Sequence, residues 1–356
     1  MLFVLGVRGS EQYHWTKSVI AVIGILTVAR ENARRSAQQR LPRACVQIEN
    51  QRPASPHFSV TLAWAPRAKV EYSRNRINVG KRLPMFLVYL LAAYLLLLIA
   101  VRLFERRMVF FPDYPSRLGG NWHPRALSPE DVCLAASDGT KLHAWWISHP
   151  AAKFTFLAFH GNASNIANRG PTYEFLRDTP ANVLAVEYRG YGHSGGKPTE
   201  AGLYLDAEAA YQFLINTKRL DAKSVLSFGQ SLGTTVAADL AARRKVGGLI
   251  LEAPLPSASR AASKIFWFLP GLSLLVYSQF DTISKLQRIT VPIMVVQCTN
   301  DPILPFQFGQ EVYNAAPSPK RFLGIEGVCH EESSIIAPVQ YRSALQQFLA
   351  SLDQPE

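Results

Sequence analysis

Between residues 130 and 352 short apolar runs alternate with helical patterns, and no other feature of the chain restricts its fold as much. Val132 to Ala136 and Leu142 to Ile147 flank the turn Ser137-Asp138-Gly139, a hairpin signal. Phe154 to Phe159, Val183 to Val186, Val225 to Phe228, Leu249 to Leu251, Ile293 to Val296 and Phe322 to Ile325 follow, with helical segments between most of them. Strands that are apolar throughout, rather than at every second residue, are buried on both faces, and helices must cover those faces. The expectation is an α/β fold: a mostly parallel sheet that opens with an antiparallel hairpin and carries helices on both sides.

A second constraint lies upstream. Residues 85–101 carry no charge, while Lys81 and Arg82 precede them and Arg102, Arg106 and Arg107 follow. Seventeen residues at roughly 1.5 Å each cover about 26 Å, and the flanking leucines and snorkelling arginines supply the rest of a bilayer of ~30 Å. One transmembrane helix is expected over residues 83–104. A basic extension, 1–82, precedes it and is expected to be poorly ordered; the body, 105–356, follows with a lid-like insert at about 255–286. Val19 to Ala29 looks like the core of a signal peptide, but it comes late and no clear cleavage site follows. The abrupt change of composition before Met85 suggests instead that translation starts there. A basic extension would hold the N-terminus in the cytoplasm and send the body outside, whereas a start at Met85 would let Arg102, Arg106 and Arg107 hold the body inside.

The charge follows the same division. Residues 1–84 hold 14 Lys and Arg against four Glu, so of the net +12 only two charges belong to the remaining chain. A near-neutral body lacks the basic face needed to neutralise phosphates, and no nucleic acid is expected as a partner. Cys45, Cys133, Cys298 and Cys329 form no C-x-x-C pair or zinc spacing. They read as isolated buried thiols, with neither metal nor cofactor implied.

Gly229-Gln230-Ser231-Leu232-Gly233 follows the run Val225 to Phe228 and leads into the helical segment Thr234 to Arg243. G-x-S-x-G in a strand–turn–helix setting lifts the serine hydroxyl above the sheet at a helix N-terminus, so Ser231 is the candidate nucleophile. A serine needs a base to take its proton and a carboxylate to orient that base, in the chain order Ser, acid, His. His330 is the only histidine after Ser231 and lies just past the last strand. Asp301 follows the strand Ile293 to Val296 and is the favoured carboxylate; Glu252, at another strand end, competes with it, and Asp281 lies in a less regular segment. Backbone N–H groups must also receive the developing oxyanion. Leu232 supplies one, and the loop His160-Gly161-Asn162-Ala163 the other, assigned to Asn162 although the sequence does not separate it from Ala163.

With these residues in place, the chain from about 105 to 350 resembles the α/β-hydrolase superfamily, and within it the bud-emergence (Bem) protein-like membrane-anchored hydrolases. Phe110-Phe111-Pro112, Asp138-Gly139-Thr140-Lys141-Leu142 with Trp145-Trp146, and His160 to Ala163 carry the likeness. It continues through Tyr188-Arg189-Gly190-Tyr191-Gly192-His193-Ser194-Gly195, Gly229 to Gly233, Leu251-Glu252-Ala253-Pro254 and Asp301. Glu187 and Cys298 stand where the group usually has Asp and Gly. The resemblance implies a cofactor-free serine hydrolase acting on esters, thioesters or amides, often with lipid-like acyl groups. The expected function is cleavage of a carboxylic ester or thioester through an acyl-enzyme on Ser231, in a single-pass membrane protein. The rivals are an exopeptidase or amidase, which needs an acidic residue in its pocket to hold an amine, and a scaffold that keeps the fold without the chemistry. Ile265-Phe266-Trp267-Phe268-Leu269-Pro270-Gly271-Leu272 in the insert reads equally well as a lid over an acyl pocket or as a core-packing helix.

Overall fold

The computed structural model describes residues 79–353; the basic extension, as far as residue 78, lies outside the described residues. Each run read as a strand is one: Phe154 to Phe159 keeps its bounds, the first run starts two residues earlier and ends one earlier, and the others gain a residue or two at one or both ends. The strands are β1 Glu130–Ala135, β2 Lys141–Ile147, β3 Phe154–Phe159, β4 Ala181–Val186, β5 Val225–Gln230, β6 Gly248–Glu252, β7 Ile293–Cys298 and β8 Lys320–Ile325. They form one sheet in the order β1-β2-β4-β3-β5-β6-β7-β8. β2 pairs antiparallel with both β1 and β4, and all other pairs are parallel.

The helices are α1 Val79–Val109, α2 Gly170–Arg177, α3 Glu200–Gln212, α4 Gly233–Arg243, α5 Ala258–Ile265, α6 Leu272–Leu275, α7 Thr282–Leu286, α8 Phe306–Ala315, α9 Ser333–Ile336 and α10 Pro338–Leu352. Side chains that alternate along a strand feed separate cores. Leu157 and Phe159 of β3 join Leu203 of α3 and Val236 of α4 on one face; Phe156 and Ala158 join Tyr173 of α2 and Leu345 of α10 on the other. Every residue of β3, β5, β6 and β7 is buried, as uninterrupted apolar runs require. Local chemistry starts several helices: Thr199 accepts from Gly202 N–H ahead of α3, Ser257 from Arg260 N–H ahead of α5 and Asp281 from Ser284 N–H ahead of α7.

α1 runs past the expected 83–104 at both ends. Its segment Pro84–Val109, 26 residues or about 39 Å, is long and apolar enough to cross a membrane, and none of its most apolar window is buried. Parallel pairing from β3 to β8 through β5, β6 and β7 puts the carboxyl ends of these strands on one edge, where α/β sheets gather functional loops. The chain emerging from β3, β5, β7 and β8 there carries Asn162, Ser231, Asp301 and His330.

Candidate active site

Ser231 leaves β5 with a φ of 52°, in the left-handed region that a side chain normally avoids. The surrounding backbone holds it there. Ser231 N–H donates to the Glu252 carbonyl at 2.9 Å, and the Ser231 carbonyl accepts from Thr234 N–H at 3.0 Å and from the Thr234 hydroxyl at 2.6 Å. The flanking glycines answer a steric need: a Cβ on Gly229 would run into the Gly233 carbonyl, and one on Gly233 into the carbonyl of Phe159 on β3. The turn is thus pressed against its neighbours, and the buried serine hydroxyl is turned toward His330.

The three side chains singled out in the sequence meet in one line. His330 Nε2 stands 2.8 Å from Ser231 Oγ, and His330 Nδ1 stands 2.8 Å from Asp301 Oδ2. With Nδ1 carrying its proton toward the carboxylate, Nε2 is free to accept from the serine. Asp301 is held from all sides: Oδ2 also accepts from Gln297 Nε2 at 2.9 Å, and Oδ1 accepts from Ile303 and Leu304 N–H at 2.8 and 2.9 Å. Asp301 therefore shapes the turn beyond Pro302 and positions the imidazole at once. Burial alone would push the His330 pKa down. The hydrogen bond to Asp301 and the charges of Glu331, Asp301 and Glu332 more than offset it, and the ring titrates above its ordinary value of 6.5.

The competing carboxylates have other partners. Glu252 is buried beneath the turn, accepts from Gln230 Nε2 at 3.0 Å and from Ser333 N–H at 3.2 Å, and its pKa is pushed up to about 7 by burial. Asp281 caps α7. Ser231, Leu232 and Asn162 open onto one cavity of about 240 Å³. Ala163 does not line it, and the Ala163 carbonyl accepts from Arg169 Nη2 at 3.1 Å. The insert between β6 and β7 lines the same cavity through Ala258, Ala261, Ala262, Phe266, Leu272, Val276 and Phe280.

No family model matches the chain. Human alpha/beta hydrolase domain-containing protein 17B is 34% identical over 202 residues, covering 56% of this chain and 68% of its own. The chain belongs to the α/β-hydrolase family. An uncharacterized protein of Mycobacterium tuberculosis H37Rv is 29% identical over 248 residues, 69% of this chain and 87% of its own. Among solved structures, an esterase from Pyrococcus furiosus superposes with a TM-score of 0.56 at 23% identity, over 69% of this chain and 98% of its own. An α/β hydrolase from Vibrio vulnificus gives 0.53 at 25% identity, over 62% and 81%.

In this hydrolase several groups around His330 escaped the sequence reading. Arg169, at the start of α2, forms an ion pair with Glu331 at 2.5 Å, 162 residues away. Burial would raise the Glu331 pKa, but Arg169 and then His330 hold it below the ordinary carboxylate value. Gln230, between the motif glycine and Ser231, donates to the Glu331 carbonyl at 3.1 Å as well as to Glu252, so the Ser231 turn grips the His330 loop directly. Glu187, the unusual residue before Tyr188-Arg189-Gly190, stands 3.2 Å from buried His160 and accepts from Ile166 N–H at 3.2 Å. Arg189 ties Asp138 of the β1–β2 turn to Asp206 of α3.

Three of the four cysteines correct the sequence reading; Cys45 lies outside the described residues. Cys298 and Cys329 are bonded to each other, with Cα atoms 5.7 Å apart, and Cys133 is exposed rather than buried. Cys298 ends β7 opposite Ile325 of β8, so the chain leaving β8 comes back beside it within four residues. Only the register of two strands, not the 31-residue spacing, brings the two sulfurs together.

Proposed function

We propose that the protein is a serine hydrolase that cleaves carboxylic esters or thioesters of lipid-like acyl groups, held at a membrane by α1. The observation that carries this reading is the unbroken line from Ser231 Oγ through the His330 ring to Asp301 Oδ2, with 2.8 Å at each step. Ser231 Oγ attacks the substrate carbonyl carbon while His330 Nε2 takes its proton. The N–H groups of Asn162 and Leu232 receive the oxyanion. His330 then returns the proton to the departing alkoxide or thiolate, leaving an acyl-enzyme. Water, deprotonated by the same nitrogen, attacks that ester, and the acid is released as His330 returns the proton to the departing Ser231 Oγ. Asp301 keeps the imidazole in the required tautomer throughout.

The pocket favours an acyl group over a peptide amine. Glu105 is the acidic residue in its lining, yet the carboxylate already accepts from Tyr277 N–H and Ser278 N–H at 2.8–3.1 Å. The remaining lining is apolar apart from Asn162 and Ser231. The test is hydrolysis of p-nitrophenyl esters and acyl thioesters by the detergent-solubilised full chain beside Ser231→Ala and His330→Ala. Turnover that both substitutions abolish supports the assignment; turnover that survives Ser231→Ala rules it out.

A further inference from the structure

α1 does more than anchor. Among its described residues, five of the six less exposed, Tyr94, Leu98, Val101, Glu105 and Val109, recur at helical spacing and mark one face, with Ala100 off it. The lower part of this face, Val101, Glu105 and Val109 with Met108 beside it, forms a wall of the cavity that reaches Ser231. The opposite wall is the insert. Glu105 fastens the two together through Tyr277 N–H and Ser278 N–H, and Arg102 lies over the Tyr277 ring at 4.8 Å.

Farther up, the Tyr94 hydroxyl donates to the Pro270 carbonyl at the tip of the insert. Tyr94 is seven residues before Val101, or about 10 Å along the helix, and sits well inside the apolar span. If α1 crosses a bilayer with Arg102 at its boundary, the Tyr94–Pro270 contact stands eight residues, or about 12 Å, inside it, among the acyl chains and deeper than the ~5–10 Å of a helix lying in the interface. Its construction suits that setting. Phe266, Leu269, Leu272 and Leu274 N–H groups donate within the insert, and Pro270 has no N–H to satisfy, which lowers the cost of placing this backbone in lipid. Trp267 is 79% exposed and Leu274 87%, a patch costly in water and suited to an acyl layer.

We infer that the acyl chain of a bilayer-resident lipid ester enters the cavity sideways, between α1 and the insert, and reaches Ser231 without leaving the membrane. The inference rests on the serine-hydrolase reading and extends it to the substrate class and route. The chain packs against Val101 and Met108 on one side and Ala262 and Phe266 on the other, while the carbonyl meets Ser231 at the inner end.

The full chain in phosphatidylcholine liposomes provides the test, with alkyl fluorophosphonates bearing a short and a long chain as probes. The wild type should react faster with the long-chain probe. Val101→Trp and Ala262→Trp, which fill the cavity from opposite walls, should each lower the long-to-short ratio of labelling rates by about tenfold or more. Leu96→Trp, 66% exposed and off the cavity wall, should keep the wild-type ratio. Depth is read separately in a Cys45→Ser, Cys133→Ser background: Leu274→Cys should react with a membrane-impermeant maleimide at least about tenfold more slowly than Val339→Cys, at an exposed site on α10. Equal maleimide rates, or cavity-filling variants with an unchanged ratio, overturn the lateral route and leave the nucleophile assignment standing. No labelling of the wild type by either probe overturns both.

Discussion

Around Ser231 the side facing β7 and β8 is built from directed polar bonds, and the side facing α1 and the insert from apolar packing. On the first, four donors hold Asp301, Gln230 ties the Glu252 carboxyl to the Glu331 carbonyl, and Arg169 pins Glu331. On the second, alanines, leucines and Phe266 meet Val101 and Met108, with Glu105 as the main polar tie. Proton transfer needs atoms fixed within a fraction of an ångström, which hydrogen bonds supply. An acyl chain needs volume and dryness, which side-chain bulk supplies. Substitutions should therefore fail in kind on the first side and by degree on the second.

The sharpest break is Ser231→Ala, expected to lower kcat for ester hydrolysis by roughly 10⁴-fold or more. Asp301→Asn should follow at roughly 10³- to 10⁴-fold, because the amide no longer holds the imidazole in the useful tautomer. Both are read by steady-state kinetics at pH 8. Arg169→Met leaves Glu331 without its partner and should cost about 3 kcal/mol of stability in denaturant melts at neutral pH. The sign with pH follows from the depressed Glu331 pKa: this contribution is fully present above the unfolded-state value near 4.5 and is lost as pH falls through the folded one. The gap between wild type and variant should thus narrow in acid. On the apolar side, Phe266→Ala should raise KM for a long-chain ester about tenfold with a smaller loss in kcat. The smallest effect is electrostatic. The acid limb of kcat/KM should lie above pH 6.5, where neutral His330 is lost, and Glu332→Gln should move it down by roughly 0.2–0.5 pH unit, since one charge favouring the imidazolium is gone.

This division also decided what the amino-acid sequence could tell. The strands of the core were legible because full burial demands unbroken apolar runs, and Val225 to Phe228 or Ile293 to Val296 admit few other readings. That Ser231, Asp301 and His330 would meet was legible because the Ser231 turn needs glycines at fixed offsets and the other two each follow a strand in the required order. The supporting bonds were not. Arg169–Glu331, Gln230–Glu252 and Cys298–Cys329 join residues whose proximity depends on strand register and on loops leaving neighbouring strands, and no local pattern records either. The insert stayed ambiguous for a different reason: a lid and a core helix share the same apolar composition. That the insert lines the space beside Ser231 opposite a face of α1 is a product of tertiary structure, which composition does not record.

The most direct measurement is fluorophosphonate labelling of the detergent-solubilised full chain, followed by peptide mapping of the adduct. The expected result is one phosphonyl group on Ser231, absent from Ser231→Ala and formed much more slowly in His330→Ala. A folded, monodisperse wild type that takes up no label, or an adduct mapped to another residue, would contradict the central claim that Ser231, His330 and Asp301 act as one catalytic unit.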